Sequence, residues 1–117
     1  MGLSMTPAAF KRSLLHAVPP KTLSPELQAL WWTAKGDWDK AHRIVMDEHS
    51  REAAWVHAHL HRAEGDEGNA GYWYRQAQQK PASGGCEAEW AVIVTSLLRR
   101  RAGGPSGRTS GRKSARR

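Results

Sequence analysis

A short phrase occurs twice in the chain, 29 positions apart: Gly36-Asp37-Trp38-Asp39-Lys40-Ala41 and Gly65-Asp66-Glu67-Gly68-Asn69-Ala70. In each copy the glycine can end one helix in the left-handed conformation, and the aspartate behind it can cap the next. An apolar, helix-like run precedes and follows each copy, so the echo predicts stacked helical hairpins rather than a single catalytic fold. The expected fold class is all-α.

The flanking sequence sets the boundaries. Pro19-Pro20 ends any helix begun by Ala8 to Val18, and Ser24-Pro25-Glu26 is a strong helix start, with Ser24 as N-cap and Pro25 at the first helical position. Leu27, Leu30, Trp31 and Ala34 then share one face of a helix that stops at Gly36. Asp37 caps a second helix, striped by Trp38, Ala41 and Val45. Ser50 opens a third, with Ala54, Trp55, Ala58 and His61, and Asp66 opens a fourth, with Ala70, Trp73, Tyr74 and Ala77. A fifth, from about Glu87 to Leu98, presents Trp90, Ile93 or Val94, and Leu97, and is placed as a cap on the two hairpins. Residues 1–22 are expected to be an N-terminal extension with at most a short helix, residues 23–98 the helical domain, and residues 99–117 a disordered basic tail.

The 117 residues carry a net charge of +7, which divides unevenly. Residues 26–98 hold seven Lys/Arg against eleven Asp/Glu, whereas residues 99–117 hold eight basic residues and no acid. The high pI therefore belongs mainly to the tail, not to a basic face on the domain. Cys86 is the only cysteine, which excludes an internal disulfide and a multi-cysteine zinc site. No apolar run approaches the ~20 residues that span a bilayer, and no signal peptide is recognisable. A cytoplasmic protein without membrane contact is expected.

The second hairpin resembles a tetratricopeptide or the related Sel1-like repeat. Ala58 falls at the small position of the first repeat helix, Gly65 at the turn, Ala70, Tyr74 and Ala77 at the small, aromatic and small positions of the second helix, and Pro81 near the closing proline. The first hairpin keeps Ala29, Gly36 and Ala41 but has Val45 and Glu48 at the later two positions. His57 and His61 stand where such repeats carry Leu and Tyr. Over about 75 residues, from Ser24 to Leu98, the chain is also similar to a small bacterial family that shares the Trp-rich opening and the segment Gly65 to Ala77, with no settled function. The repeat resemblance implies a protein-binding module in which Trp55, His59 and Arg62 project toward a concave surface, with Trp32 as a further contributor.

His57 and His61 lie one helical turn apart and can face one metal. Two imidazoles do not close a site, however, and a third ligand such as Asp66 or His42 would have to join them. Partly buried, hydrogen-bonded or surface histidines are the alternative, so no metal or cofactor is assigned. Trp31, Trp38, Trp73 and Trp90 fit the apolar stripes as core. No nucleophile elbow, phosphate loop or purposeful carboxylate pair occurs. These features together predict a non-enzymatic interaction module for a protein or peptide partner. The alternative is nucleic-acid or polyanion binding through Arg99, Arg100, Arg101, Arg108, Arg112, Lys113, Arg116 and Arg117. A metal-dependent activity through His57 and His61 comes third.

Overall fold

A computed structural model describes residues 5–103, which form six helices and, among the described residues, no strand. The chain is all-helical: α1 (Pro7–Ser13), α2 (Pro25–Ala34), α3 (Trp38–Met46), α4 (Arg51–Ala63), α5 (Glu67–Ala77) and α6 (Cys86–Gly103). None of the described helices is long and apolar enough to cross a membrane.

The two echoes are the same joint built twice. Gly36 and Gly65 both have φ of +87°, a conformation in which an L side chain is strained. At the first joint the Asp37 amide donates to the Trp32 carbonyl and the Gly36 amide to Thr33; at the second Asp66 donates to His61 and Gly65 to Arg62. This pair of backward bonds satisfies carbonyls that the helix end would otherwise leave unpaired. Each aspartate then turns its side chain forward, Asp37 Oδ1 accepting from the Lys40 amide at 3.0 Å and Asp66 Oδ1 from Asn69 at 3.2 Å. One aspartate thus closes a helix with its backbone and opens the next with its carboxylate. The consequence is that α2 packs most closely on α3, and α4 on α5.

Ser24 and Ser50 cap α2 and α4 as their sequence context predicts, accepting from Leu27 and Ala53. The core gathers Leu27, Leu30 and Trp31 from α2, Ala41 and Val45 from α3, Val56 and Leu60 from α4, Ala70 and Tyr74 from α5, and Ile93, Val94 and Leu97 from α6. Ala34, placed on the α2 stripe by spacing, is exposed because it lies at the helix end.

Two boundaries differ from those expected. The N-terminal segment is docked rather than a free extension: Phe10 is fully buried, its ring 5.8 Å from Trp90, and Trp31 Nε1 donates to Ser13 Oγ at 3.0 Å. Lys35 Nζ fastens the end of this segment through the carbonyls of Leu14 and His16. At the other end α6 continues through Arg99 to Gly103 instead of stopping at Leu98, and Arg100 pairs with Glu52 at 2.9 Å and lies over the Trp55 ring. The side chain of Arg101, and residues 104–117 with Arg108, Arg112, Lys113, Arg116 and Arg117, lie outside what is described.

The central element is α4. It is in contact with α2, α3, α5 and α6, and every residue from Ala53 to Leu60, together with His61, is buried. An amphipathic helix would expose one side. Here His57, His59 and His61 must all be accommodated inside the fold.

Candidate functional site

Two polar clusters flank α4. On one side His59 and Arg62 meet Glu89 of α6: His59 Nδ1 lies 2.9 Å and Arg62 Nη1 3.1 Å from Glu89 Oε1, while the Tyr74 hydroxyl donates to Oε2. Glu89 is 5% exposed. Burial alone would raise its carboxyl pKa, but the hydrogen bonds from His59, Tyr74 and Arg62 outweigh burial and leave it below the ordinary value. Burial and the bond to Glu89 push the Tyr74 phenol up in turn. Arg62 also donates to the Gly84 carbonyl, which ties down the loop before α6. Each carboxylate oxygen has a donor, so the cluster is a closed polar staple between α4, α5 and α6.

Two of the residues expected to bind a partner, His59 and Arg62, belong to this cluster. His59 and Arg62 point at α6, and Trp55 is buried with Arg100 across its ring. The α6 helix packs against α4 on this side. Trp32 is elsewhere, half-buried, edge-on to Trp31 at 4.9 Å and beneath Lys40 at 4.2 Å. A cleft of about 460 Å³ beside Trp55 is lined by Trp55, Lys80, Ala88, Glu89 and Val92, and a larger one of about 770 Å³ is lined by His59, Ala63, Cys86 and Trp90. Glu89 went unrecognised in the sequence, although it extends the Ile93–Leu97 stripe by one turn and an acid on an apolar stripe calls for a buried partner.

The other cluster has no such acid at its centre. His57 and His61, one turn apart on α4, converge with His42 from the middle of α3, and one ligand nitrogen from each lies within 4.8 Å of the other two. His57 Nε2 and His42 Nε2 are 3.0 Å apart, close enough that a single proton is shared between them. The ring planes are held by aromatic neighbours: Trp73 of α5 stacks on His57 at 3.9 Å and 8°, and Trp38, one turn before His42, stacks on it at 4.8 Å and 11°. Trp38 is locked in turn by its Nε1 bond to the Leu60 carbonyl at 2.7 Å.

The surroundings of His42 and His57 favour neutral rings. Burial, followed by the neighbouring His42 and His61, lowers the His57 pKa from 6.5 to about 4. His42 is also lowered, by burial and His61, against smaller opposing effects of Glu64 and Asp39. His61 Nδ1 lies 2.9 Å from Glu64 Oε2. A carboxylate accepting from one imidazole nitrogen fixes the tautomer that leaves a lone pair on the other.

Of the two third ligands considered from sequence, His42 is the one that joins His57 and His61. Asp66 instead lies with Glu64 near His61. No family model, curated protein or solved structure matches the chain.

Proposed function

We propose that the domain binds one divalent transition-metal ion through His42, His57 and His61. The observation that carries this reading is the approach of three ligand nitrogens to within 4.8 Å of one another, with His42 and His57 already at 3.0 Å. Around a tetrahedral ion with metal–nitrogen bonds of ~2.0–2.1 Å, ligand nitrogens stand about 3.3 Å apart, so small side-chain rotations would bring this set into place. An all-imidazole set suits zinc, cobalt, nickel or copper and not the oxygen-seeking magnesium or calcium. At His42 and His57, whose pKa values lie below the ordinary one, protons compete less with a metal for the ring nitrogens.

Titration of the metal-free protein with Zn²⁺ or Co²⁺, followed by equilibrium dialysis, tests the site. One ion per chain is expected, with loss of that ion in His42→Ala and in His57→Gln. His42 is half-buried, so its variant is expected to keep the far-ultraviolet circular dichroism of the parent. Wild-type protein without stoichiometric uptake, or uptake unchanged by both variants, rejects the reading.

The cleft beside Trp55 favours a second reading, a protein-interaction module, in keeping with the resemblance of the second hairpin to binding repeats. Val92, 55% exposed, is the apolar rim available to a partner's side chain. Val92→Asp would then abolish capture of a partner that the parent protein retains, and equal capture by both would remove this support.

A further inference from the structure

Resting on the metal-binding reading, we infer that the ion at His42, His57 and His61 keeps one exchangeable coordination position, and that this position takes a neutral nitrogen donor of the imidazole class in preference to a small anion. Two sets of observations carry it, one on the ligands and one on the charges around them.

Among the described residues, no fourth His, Cys, Asp or Glu ligand atom joins these three within the same distance. The walls cannot supply one either. Trp38 and Trp73 face the imidazoles with their rings, and an indole N–H is a donor without a usable lone pair. The Trp38 N–H is already committed to the Leu60 carbonyl. Glu64 is held on His61 Nδ1 and groups with His61 and Asp66, not with all three histidines. Three protein ligands with a fourth place open is the pattern of metal sites that exchange a ligand, whereas structural sites close all four with side chains.

The charge around the cluster selects what enters. His57 and His61 are buried, and His42 is the half-buried member, so the cluster meets solvent on the α3 side. Asp39, exposed one turn before His42, and Glu64 both act on His42 through their charge. Asp66 adds a third carboxylate next to Glu64 and His61. These three acids offset much of the charge that a divalent ion would present, attracting the cation while giving little reward to an anion that follows it. A neutral imidazole brings a lone pair without that repulsion.

The test uses the full chain loaded with Co²⁺, whose visible ligand-field absorption reports the donors around the ion. Imidazole is expected to shift the spectrum at lower concentration than azide, with the cobalt remaining bound on dialysis. Asp39→Asn, an exposed substitution, is expected to strengthen azide binding a few-fold. A spectrum unchanged by imidazole, or cobalt lost to it, overturns the exchangeable position; tighter binding of azide than of imidazole, or no effect of Asp39→Asn, overturns the selectivity. Failure of Co²⁺ to bind at all would instead reject the three-histidine site itself, so the two failures are distinguishable.

Discussion

The two sides of α4 bury the same residue type to opposite effect. Toward α6, His59 meets a carboxylate that also engages Arg62 and Tyr74, and the group is complete as it stands. Toward α3 and α5, His57 and His61 meet a third imidazole and two indole faces. One side of the helix is a finished ion-paired staple, and the other gathers imidazole nitrogens, two of them joined by one shared proton. The difference lies in what faces each histidine: Glu89 bonds to every other member of the first cluster, whereas in the second Glu64 bonds to His61 alone.

Removing the centre of the closed side is expected to cost most. Glu89→Ala leaves the buried His59 and Tyr74 and the part-buried Arg62 without their common acceptor, and breaking such a buried pair typically costs about 3–5 kcal/mol. Urea unfolding would show it as a fall in midpoint, and a variant within 0.5 kcal/mol of the parent would mean that Glu89 is not the staple described.

Acid should break the other side. Between pH 6.5 and about 4 the unfolded chain binds a proton at His57 that the native protein refuses. Stability is therefore full above this window and falls as pH drops through it, by at most about 3 kcal/mol from His57, with His42 acting in the same direction. Thermal unfolding in metal-free buffer across this range measures the slope, and a flat profile would contradict the neutral-imidazole cluster. Bound metal should postpone the loss, because the ion competes with those protons.

The smallest effect is expected at the outer end of α6. Arg100→Ala removes an ion pair whose two side chains are about half and one-third exposed, so the loss should be ~0.2–1 kcal/mol and shrink further in salt. A loss as large as that of Glu89→Ala would mean that surface charge, not the buried carboxylate, holds this helix down.

The local grammar of the fold was legible in the chain. Ser24, Ser50, Asp37 and Asp66 cap the helices their contexts announce, and the glycines behave alike at both joints, since capping depends on residues within a turn of one another. The docking of α1 was not, because it rests largely on Phe10 meeting Trp90, 80 positions away. Nor was the enclosure of α4. Periodicity reveals one apolar stripe, and a helix whose remaining sides are filled by His and Trp reads as half-exposed. That is why Trp55, His59 and Arg62 were expected on an open surface. His57 and His61 could be paired from their spacing alone, but the place of His42 depends on how α3 lies against α4, which no local signal specifies.

The stacking of indole on imidazole has a use beyond holding ring planes. Trp73 lies flat on His57 and Trp38 flat on His42, so two of the six tryptophans touch the cluster directly. The emission of an indole in ring contact with an imidazole changes when that imidazole gains a proton or an ion with a partly filled d shell. The protein thus carries its own optical gauge, built into the walls of the site it would report on.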